Sequence, residues 1–238
     1  MTVQFPSNAA PFIATSGSIL EANKIEITVG SDFDFYGQVI AQERPGQKLG
    51  DPFNPDLHVL EKTNAFWLIG RNHSGELIHT QAFKTLDLAH TPLSKYLMRN
   101  FKNFPPPIPG VDLERSRYRA SPGAHRITGK TVYHGEVWMA PDDGNYRGTG
   151  LSSVLTRAGL LESVNRWNPD WIFGFMLRAV AFKGFSERVG YMHTEPGALK
   201  WAVHGREQLL EAFMVYLSRE DAQFMLEIPV EELVSQAA

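Results

Sequence analysis

Apolar and polar residues alternate over Lys24-Ile25-Glu26-Ile27-Thr28-Val29, a period of two that predicts an opening strand behind a stretch mixing Pro, Ser, Gly and Asn. The period then lengthens. Phe33, Tyr36, Val39 and Ile40 fall at helical intervals, and the pattern stops before Arg44-Pro45-Gly46. After a Pro-rich loop, Ala65-Phe66-Trp67-Leu68-Ile69-Gly70 has the aromatic and branched content of a strand. Asn72-His73-Ser74-Gly75 supplies turn chemistry, and extended residues 77–83 complete a hairpin. Between about 88 and 129 the pattern lapses, apart from a short helix over 93–101 and the stiff run Phe104-Pro105-Pro106-Pro107-Ile108-Pro109-Gly110. So long an irregular stretch reads as an insertion or a functional cover. Its Arg115, Arg117, Arg119, His125 and Arg126 read as a solvated, salt-bridged surface, with an anion-facing lid as the alternative.

Order returns at 131–140, a strand ended by Pro141. Val154, Leu155, Ala158, Leu161 and Val164 mark one face of a helix that begins near Leu151 and ends near Asn168-Pro169. Residues 171–177 are almost unbroken apolar, as a strand with a parallel neighbour requires, so strand, glycine loop, helix and buried strand form a βαβ unit. A second helix is expected over 179–189, stopping at Gly190. Residues 200–204 and 212–217 read as a closing strand pair, with a helix over 208–217 as the alternative. Ser218 and Asp221 form the capping box of a final helix.

Composition narrows the class. A chain of 238 residues, 43% hydrophobic and 21% charged, can bury a sizeable core, and a single domain is expected. Its apolar runs are far shorter than the roughly 20 residues a membrane span needs, and no basic segment precedes an apolar core at the N-terminus. A soluble, cytoplasmic protein without a membrane partner is expected. The absence of cysteine removes disulfides, thiolate ligands and a cysteine nucleophile. A net charge of -3 argues against nucleic acid as a partner. The eight histidines are scattered without metal-ligand spacing, so no metal is expected. Trp201 and Phe213, read as surface aromatics, allow a homodimer.

The segment Tyr146-Arg147-Gly148-Thr149-Gly150-Leu151 has the parts of a diphosphate site. Its glycines let the backbone curl close to a ligand, and the helix beginning at Leu151 presents unpaired amides and a positive dipole end. Neither a Walker loop nor a dinucleotide fingerprint fits, since no Lys-Ser or Lys-Thr pair follows Gly150 and a third spaced glycine is missing. The run resembles the acyl-CoA signature of the Gcn5-related N-acetyltransferases (GNAT). Ala181-Phe182 and Phe185-Ser186-Glu187-Arg188-Val189-Gly190-Tyr191 resemble that family's second signature, and the likeness covers residues 131–191.

The resemblance implies an α/β fold with a mixed, mostly antiparallel, splayed sheet flanked by helices, with acetyl-CoA as acyl donor and a small-molecule amine as acceptor. It places the diphosphate on Arg147, Gly148, Thr149, Gly150, Leu151 and Ser152, and the pantetheine arm along Trp138, Met139 and Ala140 like an added strand. Glu136 is the candidate base, a strand glutamate paired with an arginine of the insertion being the alternative. His134, two residues earlier and on the same face by the strand period, would assist or replace it. The usual general-acid tyrosine position is occupied by Phe185, which leaves Tyr191 as the candidate hydroxyl. The loop 141–147 is about three residues longer than the usual form. The readings that follow are an N-acyltransferase, an enzyme like the acyl-homoserine-lactone synthases, or a CoA-binding sensor without turnover.

Overall fold

The computed structural model describes residues 10–44, 46–140 and 150–228. In chain order the elements are α1 (Ala10–Ala22), β1 (Glu26–Gly30), α2 (Phe33–Glu43), β2 (Ala65–Arg71), β3 (Leu77–Leu88), α3 (Leu93–Asn100), β4 (Val111–Tyr118), α4 (Pro122–Arg126) and β5 (Gly129–Met139). Then come α5 (Leu151–Trp167), β6 (Trp171–Leu177), the single helical turns α6 (Arg178–Ala181) and α7 (Phe185–Arg188), β7 (His193–Val203), β8 (Leu210–Ser218) and α8 (Arg219–Glu227). Eight strands form one sheet in the order β1-β2-β3-β5-β6-β8-β7-β4. Every pairing is antiparallel except β5 with β6. This is the mixed, mostly antiparallel sheet expected.

One face of the sheet carries a core in which Tyr36 and Ile40 of α2 and Leu93 and Leu97 of α3 meet Trp67, Tyr133 and Phe173. The other carries Val154, Leu160 and Leu161 of α5, Met225 and Leu226 of α8, and strand residues such as Phe83 and Ile172. Each Val, Leu or Phe so buried contributes about 1.5–3 kcal/mol. Asp32 caps α2 by accepting from the Phe35 amide, which fixes where that helix starts. Ser218 and Asp221 form the reciprocal capping box that starts α8.

Three expectations are corrected. The Pro- and Ser-bearing N-terminal stretch contains α1, whose Ile19 and Leu20 pack on the α5 face. The irregular stretch 88–129 contains β4, which pairs with β7 at the sheet edge and carries Arg115 and Arg117 on a strand instead of a loop. Its alternation is hidden because an edge strand of this kind buries little: only Ser116 is buried. The helix expected over 179–189 is two separate turns, broken where Gly184 takes φ +66°. Residues 210–218 form β8 beside β7, so the expected closing strand pair stands and the helical alternative over 208–217 does not.

Trp201 and Phe213 are 1% and 6% exposed, so the surface aromatics invoked for a homodimer are core residues of β7 and β8. Among the described residues no helix is long and apolar enough to cross a membrane.

Candidate active site

Among the described residues the sheet has one parallel seam, and it is short. β5 and β6 pair through Thr131–Trp171, Val132–Ile172 and Tyr133–Phe173, and among the described residues no ladder joins them beyond that point. Among the described residues, the edge of β5 that faces β6 therefore has no strand partner from His134 onward. A cavity of about 320 Å3 occupies the divergence. Gly174 sits just past the last pair, where an added Cβ would lie 2.7 Å from the His134 carbonyl oxygen, so the strands stay in close contact there before they part.

A bulge on the opposite edge of β5 reorients the site. Thr80 pairs with Trp138 and Ala82 with Gly135, so Gln81 alone faces the two residues Glu136 and Val137. Glu136 takes φ +56°, and the inserted residue reverses the strand parity. His134 thus lies on the α5 face while Glu136 lies on the α2 face. The expectation that both share a face fails because a period of two holds only through an unbroken ladder.

Glu136 and Arg44 form a buried ion pair, with side chains 4% and 3% exposed. Arg44 Nη1 donates to Glu136 Oε2 at 2.8 Å and to Thr80 Oγ1 at 3.1 Å, and the Gly50 amide donates to Oε1 at 2.9 Å. Thr80 Oγ1 in turn donates to the Glu136 carbonyl. Arg44 is braced by Gln47 and lies over the Trp138 ring at 5.5 Å. Burial pushes the Glu136 carboxyl up, while Arg44 and the Gly50 amide pull it down. Two donors, one on each oxygen, are the environment of the ionised form. The partner is the residue that ends α2, not an arginine of 88–129. The sequence offers Arg44 only as part of a helix stop, and its separation from Glu136 is 92 positions.

His134 and Tyr191 meet on the far side. Gly159 of α5 lacks the Cβ that would collide with Gln81, and the Gln81 side chain lodges there with Nε2 donating to the Leu155 carbonyl at 2.6 Å. Its Oε1 is left to accept from His134 Nε2 at 3.1 Å, which fixes that nitrogen as the protonated one. His134 Nδ1 then accepts from the Tyr191 hydroxyl at 2.8 Å. The His134 ring stacks on Phe83, and burial, with a smaller contribution from His79, lowers its pKa to about 3. Burial raises the Tyr191 phenol well above its ordinary value. Both groups are neutral near pH 7.

Of the other expected residues, Trp138 lines the cavity, whereas Met139 and Ala140 pack toward Ile78, Leu151 and Leu155. Gly150 takes φ +73° at the start of α5, followed by buried Leu151 and partly exposed Ser152. Arg147, Gly148 and Thr149 lie outside the described residues. Phe185, Val189 and Tyr191 line the cavity from the α5 side.

Fold and site together define an open mixed-sheet α/β protein with a ligand-sized cleft where two parallel strands part. No protein-family model matches the chain, and no curated protein matches it significantly. Solved structures resemble it over most of their length. NAA60 of Arabidopsis thaliana in complex with acetyl-CoA is 15% identical, with 82% of this chain and 98% of that one covered and a TM-score of 0.47. Spermidine N-acetyltransferase SpeG of Vibrio cholerae in complex with CoA and spermine is 10% identical, covering 84% and 98% at a TM-score of 0.43. TofI in a ternary complex with an inhibitor and MTA is 12% identical, covering 87% and 98% at 0.42. Similarity this low carries no residue role or activity to the present chain.

Proposed function

We propose that this protein is a GNAT-type N-acyltransferase that moves an acyl group from a CoA thioester to a small-molecule amine by direct attack in a ternary complex. The observation that carries the reading is the three-residue parallel seam, beyond which β5 offers an unladdered edge to a cavity bordered by Trp138. Pantetheine amides would pair with that edge through Trp138, Met139 and Ala140, as a strand adds to an open sheet. Its diphosphate would sit on residues 147–152, where Gly150 turns the chain into α5 and the helix dipole favours an anion.

In the reaction the amine lone pair attacks the thioester carbonyl, the oxyanion collapses, and the carbon–sulfur bond breaks to release CoA thiolate. Glu136 takes the proton that the amine loses, directly or through water. The proton of Tyr191 points to His134 in the resting site, so the thiolate takes its proton from water unless Tyr191 rotates toward the cleft. A CoA-binding protein without turnover is the second reading. It is favoured by the engagement of both Glu136 oxygens and by Phe185, which has no proton to give.

Calorimetric titration tests the first proposal: heat with acetyl-CoA and competition by CoA are expected, and silence from both sinks it. Glu136→Gln separates the two readings. An enzyme keeps CoA affinity and loses turnover on the order of a hundredfold or more, whereas a binder shows no turnover before or after the change.

A further inference from the structure

We propose that the group transferred is a medium-length straight acyl chain of roughly six to ten carbons, lodged in the cleft between β5 and β6; this rests on the acyltransferase reading above. The cavity's lining has two chemistries. Its charged residues are Arg44 and Glu136, already paired with each other, with Gln47 occupied by Arg44. Much of the rest is aromatic or apolar: Phe53, Phe104, Tyr133, Phe175, Trp201 and Ala212. The rings pack on one another: Phe53 stacks on Tyr133 with centroids 5.6 Å apart, and Phe104 meets Tyr133 edge-on at 4.8 Å and Phe175 at 6.0 Å.

Such a wall solvates hydrocarbon and nothing charged. An ammonium acceptor held there would lose its water without gaining a carboxylate, since the one acid lining the cavity is neutralised by Arg44. An acyl tail needs no partner. Size gives the chain length. An apolar cavity of about 150 Å3 accepts a benzene ring. The present one holds about 320 Å3, far more than the single methyl of an acetyl group fills. The pantetheine arm, laid along Trp138 to Ala140, would touch the cavity only at Trp138, so after allowance for the thioester and the attacking amine roughly six to ten carbons remain. Ala212 lies in the wall and is 3% exposed, so a larger side chain there would take up part of this space.

The test is a calorimetric series on the full chain with free CoA and with acetyl-, hexanoyl-, octanoyl- and decanoyl-CoA, each below its micellar concentration. Each methylene taken into an apolar site multiplies affinity about fourfold. Octanoyl-CoA is therefore expected to bind at least about a hundredfold tighter than acetyl-CoA. In Ala212→Leu, and in Ala212→Phe if it folds by circular dichroism, the octanoyl-to-acetyl affinity ratio should fall at least about tenfold, which unspecific adhesion of a longer tail would not produce. Affinity that is flat from acetyl to decanoyl, with CoA itself still bound, overturns the chain-length proposal and leaves the acyltransferase reading standing. No binding by any member, free CoA included, overturns both.

Discussion

Arg44 and Glu136 are each more than nine-tenths buried, so their attraction is set against the loss of two hydration shells. Removing one partner strands the other. Arg44→Ala should lower unfolding free energy by about 3–5 kcal/mol, and the double variant Arg44→Met, Glu136→Leu should recover most of that loss. Urea denaturation of the three proteins measures both; a double variant no better than the single one would mean that the pair contributes shape and not charge balance. Glu136 stands out in the sequence because a carboxylate within an apolar strand needs a reason. Its counter-ion does not, because the ladder carries an extra residue exactly where parity matters, and no period read from side chains reports that Thr80 faces Trp138. His134 illustrates the same gap: its type is visible, while its partner Gln81 depends on a glycine one helix away.

The elements that could be read were those with a strong one-sided pattern. α5 and β6 follow from the leucine face and the unbroken apolar run, and α8 from its capping box. Those that could not were α1, where Pro and Ser dilute the pattern, and β4, whose charged side chains face solvent at the sheet edge. Gly174 lies within β6 and is explained only by its neighbour. Gly174→Ala would force its methyl against the His134 carbonyl and close to the Tyr191 hydroxyl. A loss of about 1–3 kcal/mol is expected, with the strands driven apart past Tyr133. Thermal unfolding read beside CoA titration checks this: an Ala variant of unchanged stability would mean that β5 and β6 are not held in contact at that point.

At the scale of the molecule, His79 and His134 tie folding to acidity. Burial lowers both to about 3, and each is neutral in the folded chain. The unfolded chain protonates them near pH 6.5. Their contribution is therefore complete above that value and is lost as pH falls from about 6.5 toward 3, amounting to about 4 kcal/mol for the pair between pH 7 and pH 5. Urea midpoints at pH 7 and pH 5 should show this fall, and replacing His134 with Gln should roughly halve it. Equal midpoints at the two values would mean that the rings are hydrated or already charged.

The sheet is also unevenly sewn. β3 meets β5 at nine positions and β6 meets β8 at seven, but the two halves are stitched to one another at only three. Below that join the apolar cores on both faces hold the halves together, and beyond it the β5 amides that face the gap have no ladder to hold them. Whatever pairs with that margin supplies the missing stitches, and amide exchange in residues 134–138 should then slow while the outer ladders hardly change.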